Sequence, residues 1–178
     1  MAVSITAGKW TRNDLRRLPH DGNRYEIVRG DLFVTPAPSP RHEHLVHVLA
    51  RHLRRYAEET GVGWVWHAPT AIVIAGSEVQ PDLQIRVPVS PAPERWEDVP
   101  APLLVIEVLS DTTRQRDLGA KRALYTEAGI DYWVVDDNKR VIHVLAADDA
   151  KVYATDLEWQ PAGTNAPLRL DVAALFRE

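Results

Sequence analysis

The spacing of apolar positions changes several times along the chain, and each change predicts an element. A short helix is expected over residues 11–18, and YEIVRGDLFVT (residues 25–35) reads as two strands turning at Arg29-Gly30-Asp31. From residue 40 the period lengthens. Leu45, Val46, Val48, Leu49, Leu53 and Tyr56 fall on one arc when successive residues are about 100° apart. This predicts a long helix with Ser39 as N-cap, Pro40 at its first position and Gly61 at its end. Three strand-like runs follow, at 64–74, 81–87 and 103–110, the last two separated by the Pro-broken loop 88–102. A second helix is expected over 114–128, capped by Thr113 and closed by Gly129, then a strand at 131–137 and the pair 140–147 and 151–159. Helix, three strands, helix, strand is the order of an α/β domain whose mixed central sheet is flanked by helices, here with an extra N-terminal hairpin and C-terminal strands.

Three residues break these patterns. Glu107 interrupts LLVIEVL, a run apolar enough for a strand covered on both faces. A carboxylate there is costly unless it is paired or binds a metal, and a buried salt bridge would also account for it. Lys121 falls in the middle of the apolar arc formed by Leu118, Leu124, Tyr125 and Ala128, where a lysine rarely stands without a task. Asp82 opens a strand in QPDLQIRV and gains weight from the other two. Two carboxylates on neighbouring strands repel, so Asp82→Asn is expected to leave the metal-free protein at least as stable. A hard divalent cation is the natural remedy, and Mg²⁺ needs only one or two protein carboxylates. A nearby lysine can then stabilise negative charge in a transition state.

Composition narrows the chemistry. The chain has 178 residues, the size of one ordinary domain, a formal charge of −4 and no cysteine. Disulfides and thiolate chemistry are excluded, and a cytoplasmic location is expected. No secretory signal or bilayer-spanning run is evident, so no membrane association is expected. The overall charge does not advertise a nucleic-acid partner, so any basic footprint must be local. His42 lies inside the apolar arc of the first long helix, whereas His44 and His47 point away from it, which argues against a zinc site.

YEIVRGDLFVTPAPSPRH, QPDLQIRV and LLVIEVLSDTTRQRDLGAKRALYTEAGIDYWVVD together resemble the Uma-type restriction endonucleases, a stand-alone branch of the PD-(D/E)XK nuclease superfamily. The resemblance implies a restriction-endonuclease-like fold and Mg²⁺-dependent hydrolysis of nucleic-acid phosphodiesters, with DNA as the expected partner and Mn²⁺ as a substitute metal. It implies metal binding by Asp82, Glu107 and the Val108 carbonyl, catalysis by these carboxylates with Lys121, and support from Glu26 and His42. The superfamily lysine normally stands two residues after the glutamate, where this chain has Leu109, and in this branch it has moved to the helix, at Lys121. Arg114 and Arg116 are the expected substrate-binding residues, and a homodimer would suit cleavage of both strands of a duplex. Two other readings compete: a non-catalytic binding module on the same fold, and a two-carboxylate glycosidase, which would need neither metal nor buried lysine.

Overall fold

The computed structural model describes residues 3–5 and 9–177. Its frame is a six-stranded sheet in the order β11 (Ala150–Tyr153), β10 (Val141–Leu145), β9 (Asp131–Asp136), β8 (Leu104–Val108), β7 (Leu83–Arg86) and β4 (Trp64–His67). β8 and β9 run parallel, and every other neighbouring pair in this sheet is antiparallel. A parallel pair needs a crossover, supplied by the helical segment between them. That segment joins α3 (Arg114–Arg116), a π-helical turn (Asp117–Lys121) and α4 (Arg122–Glu127) without a break.

A second, antiparallel sheet runs β1 (Val3–Ile5), β3 (Asp31–Thr35), β2 (Arg24–Val28), β6 (Ser77–Val79) and β5 (Ile72–Ile74). The β2–β3 turn falls where the sequence broke. Arg29 and Gly30 both have positive φ, 53° and 93°, the backbone of a two-residue hairpin turn, with Val28 opposite Asp31.

The first long helix, α2, is Pro40–Thr60, with the Ser39 side chain accepting from the His42 amide and Gly61 left-handed at its end. It covers one face of the six-stranded sheet. Leu45, Leu49 and Leu53 pack in one cluster with Leu83, Ile85, Leu104, Ile106 and Val108. The other face carries Val105, Tyr132 and Val134 against Leu124 and Tyr125 of α4 and Val28, Ile72 and Val79 of the second sheet. Alternation along β8 puts Glu107 on that second face. No helix among the described residues is long and apolar enough to cross a membrane.

Several boundaries depart from expectation. Residues 64–74 form two strands in different sheets, because the chain leaves the central sheet around Pro69, which has no N–H to donate. Residues 151–159 likewise divide. Tyr153 ends β11, and β12 (Asp156–Trp159) turns away to pair with β13 (Leu168–Asp171), which the sequence pattern had not suggested. A last short helix, α5 (Val172–Leu175), packs against α2. The expected helix over 11–18 is reduced to α1 (Arg12–Leu15).

Candidate active site

Glu26, Asp82, Glu107 and Lys121, all singled out in the sequence, meet with Arg116 in one buried cluster, and His42 closes its rim. Glu107 projects from β8 toward the crossover, where Lys121 Nζ lies 2.7 Å from its Oε1. The same ammonium is 2.8 Å from Oε1 of Glu26, which reaches in from β2. Glu26 and Lys121 are both 0% exposed. Glu26 Oε1 also accepts the Gln80 amide at 2.8 Å, tying the second sheet to the chain just before Asp82. Asp82 follows two residues later, ahead of β7. Its Oδ2 accepts from the Val108 amide at 2.8 Å and lies 3.0 Å from His42 Nε2 of α2, and Arg24 Nη1 reaches its Oδ1 at 3.1 Å.

The π-helical turn explains how the crossover serves this cluster. In a regular α-helix, residues five apart point about 140° away from each other. Here Arg116 Nη1 is 2.9 Å from Glu26 Oε2 while Lys121 holds Oε1 of the same carboxylate. The wider turn, which places residues five apart near one another, lets both cations face one acid. The Arg116 contact is an ion pair without hydrogen-bond geometry, so Glu26 Oε2 has no donor among the described residues. Arg116 instead donates to Asp117 Oδ1 at 3.1 Å and Thr35 Oγ1 at 2.8 Å.

The electrostatics set the two metal candidates apart. Burial drives the Glu107 carboxyl up to about 8; Lys121 opposes the rise, and Asp82, Asp117 and Glu26 add to it. Burial would raise Asp82 too, but the His42 hydrogen bond and the Arg24 charge outweigh it and hold Asp82 well below the usual carboxylate range. Glu26 is likewise held low against burial by Lys121 and Arg116. Burial works against the Lys121 ammonium, yet the facing carboxylates of Glu107 and Glu26 raise it. These anchors change the expected behaviour of Asp82→Asn. Asp82 is held by Arg24, the His42 ring and an amide, so removing its charge is expected to cost the metal-free protein stability instead of relieving repulsion.

Asp82, Glu107 and Val108 line one cavity of about 380 Å³, together with His42, Ser110, Thr112 and Arg116. Glu107 Oε1 takes Lys121 and, at 3.4 Å, the Tyr125 hydroxyl; Oε2 has no hydrogen bond among the described residues. In a strand the N–H and C=O of one residue point to the same side. The Val108 carbonyl therefore turns toward Asp82, to which the Val108 amide donates. No group of three or more His, Cys, Asp or Glu side chains among the described residues is arranged to hold a metal. Two carboxylates and a carbonyl are nevertheless the kind of set that suits Mg²⁺, which keeps most of its water. The donors fit such an ion.

Arg114, expected at the substrate groove, pairs with Asp136 Oδ2 at 3.0 Å and does not line the cavity. Arg116, expected there too, forms part of the cavity's wall but is buried and committed to acids. Sequence reasoning missed Arg24, although it stands two residues before Glu26 on one strand and so shares its face.

The mixed sheet, with a helical crossover behind its parallel pair and the acid cluster on the covered face, is a restriction-endonuclease-like fold. The same fold occurs in a crystal structure described as a putative nuclease belonging to DUF820 from Anabaena variabilis ATCC 29413. The TM-score is 0.75 at 16% identity, over 94% of this chain and 98% of that chain. A family profile described as Uma2, putative restriction endonuclease, matches residues 12–175, and the chain belongs to this family. No curated protein matches the sequence.

Proposed function

We propose that this protein is a divalent-metal-dependent nuclease that hydrolyses phosphodiester bonds of DNA. One observation carries the reading: a fully buried lysine holds one oxygen of Glu107, while the other oxygen is uncommitted beside Asp82 in a cavity. Asp82, Glu107 and the Val108 carbonyl would hold Mg²⁺, with Mn²⁺ as a substitute. The ion, when bound, would lower the pKa of its water and offset charge on the phosphate. The Lys121 ammonium, fully buried and outside the cavity lining, would act through Glu107, holding one of its oxygens and leaving the other for the ion. Glu26 and Arg116 fix that ammonium's position. His42 and the Val108 amide fix the rotamer of Asp82. Family membership and the fold of the Anabaena protein support the reaction class.

The alternative is a non-catalytic module on the same fold. What favours it is that Lys121 already has two carboxylate partners. Plasmid, single-stranded DNA and RNA incubated with the purified protein in Mg²⁺, Mn²⁺ or EDTA separate the two. Cleavage of DNA with either ion and none in EDTA is expected; intact substrates throughout would sink the nuclease reading. The cations should also raise the melting temperature, by about 2.7 kcal/mol of stability at a hundredfold excess over Kd. Asp82→Asn should abolish that gain.

A further inference from the structure

We propose that Arg24 is a phosphate clamp, gripping a backbone phosphate of a nucleic-acid strand laid across two joined cavities. This rests on the nuclease reading and adds the path of the substrate. Besides the cavity of about 380 Å³, a second of about 710 Å³ lies between the α1–β2 segment and the start of α2. Arg24, Pro38 and Asp82 line both, so the two spaces meet at the candidate metal ligand.

The arginines lining the first cavity are Arg24, Arg41 and Arg116, and they differ in what their donors already hold. Arg41 gives its Nε and Nη2 edge to Asp137, at 3.0 and 2.8 Å. Arg116 gives Nε to Asp117 and Nη1 to Thr35 and Glu26, so neither edge of its fork is whole. Arg24 commits Nη1 alone, to the Gln80 carbonyl at 2.6 Å and Asp82 at 3.1 Å. Its Nε and Nη2 hold no acceptor among the described residues. A guanidinium presents five N–H groups in a planar fork that matches two phosphate oxygens. The Arg24 fork is fixed on one side by Asp82 and open on the other, and its side chain is 15% exposed.

Charge balance gives the clamp its occasion. Glu26, Asp82, Glu107 and Asp117 stand against Arg24, Arg116 and Lys121, a formal charge of −1 with His42 neutral. A divalent cation turns this formal balance to +1, which favours an anion at the guanidinium whose Nε and Nη2 edge is open. The second cavity also has acidic walls, Glu43 and Glu78, but Glu78 is neutralised by Arg12 at 2.9 Å, and Arg16 lies on the same wall.

The test is anisotropy of a short fluorescein-labelled single-stranded DNA with phosphorothioate linkages, which resist cutting, in Mg²⁺, titrated between about 50 and 200 mM salt. Arg24→Gln should weaken binding about tenfold and flatten the slope of log K against log salt by about 0.7, one phosphate contact on a single strand. Arg24→Lys keeps the charge without the fork; it should keep the slope and still bind several-fold more weakly. If Arg24 only braced Asp82, Arg24→Gln would shift the melting temperature and leave the salt slope as in wild type, which overturns the clamp while the nuclease reading stands. Should Arg24→Gln not fold, Arg24→Lys decides: wild-type affinity there overturns the clamp. A wild-type protein that binds no DNA overturns both.

Discussion

Asp82, just ahead of β7, and Arg86, its last residue, stand at opposite ends of that strand, about 13 Å apart at the rise of a strand. Both are buried charges, and they are satisfied in opposite ways. At the Asp82 end charge meets charge: carboxylates from β2, β8 and the crossover are threaded by cations from β2 and the crossover, with His42 of α2 beside Asp82. At the other end Arg86 meets no acid among the described residues. It donates to Gln84 Oε1 at 2.7 Å, to the Ala71 carbonyl at 3.0 Å and to the Pro100 carbonyl, with the Trp96 ring centroid 5.9 Å from its Cζ. Trp66 packs edge-on to Trp96 at 5.6 Å and closes the arrangement. Burial lowers Arg86 to about 10, so it stays charged at neutral pH. Neutral acceptors satisfy a guanidinium without creating a demand for further ions. Clustered carboxylates leave an excess that a metal can meet. The chemistry is therefore expected at one end of β7 and bracing of the 88–102 loop at the other.

The sharpest way to break this contrast is to remove the cation from each end. Lys121→Met should lose about ten- to a hundredfold in DNA cleavage, the scale of losing an outer-shell partner of a metal ligand. It should also cost the metal-free protein roughly 3–5 kcal/mol, since two buried carboxylates lose a partner. Arg86→Met leaves carbonyl acceptors without donors, which should cost about 1–3 kcal/mol, and cleavage by the folded protein should stay close to wild type. Melting and cleavage measured side by side decide the matter. An equal loss of cleavage in both variants would mean that the two ends work as one site.

Glu107→Gln probes the acid excess directly. It should abolish cleavage, yet cost the metal-free protein far less stability than Lys121→Met, because burial already favours the neutral form of that side chain. A metal-induced rise in melting temperature that survives Glu107→Gln would take Glu107 out of the metal site.

The smallest effect expected is on pH dependence. The Glu107 carboxyl moves from 4.5 to about 8, so the native state holds a proton that the unfolded chain releases. Its contribution to stability is present in acid and is lost as pH rises through that interval. Asp82 and Glu26, held low, contribute above the usual carboxylate range and lose their contribution only in stronger acid. In EDTA the melting temperature should fall by a few degrees between about pH 5 and 9. Glu107→Gln or added Mg²⁺ should flatten the fall. A flat wild-type profile in EDTA would show that Lys121 alone neutralises the cluster.

Most of the acid end was legible in the sequence because its residues violate a local rule. Glu107 breaks an apolar strand, and Lys121 breaks an apolar helix face. Glu26 and His42 came through resemblance and helical phase. The cations that balance them were harder to see, because an arginine near charged neighbours looks alike whether it ends at the surface or in the core. Arg116 was placed at a groove and is buried; Arg24 was passed over. The Arg86 end was illegible because its acceptors are mostly backbone carbonyls, which carry no signal in residue identity. The strands β6 and β13 were missed because they run only three and four residues, too short to show a period of two.

The π-helical turn has a consequence for inheritance. Arg116 and Lys121 share Glu26 because the backbone between them holds one more residue than a regular helix would use. Deleting one residue there, such as the exposed Gly119, would mend the hydrogen-bond ladder of the helix. It would also swing the lysine about 100° from its carboxylates. Every acid and the lysine would still be found by a reader of the sequence, in a protein whose chemistry had gone silent. At this point of the chain, length encodes function as strictly as residue identity does.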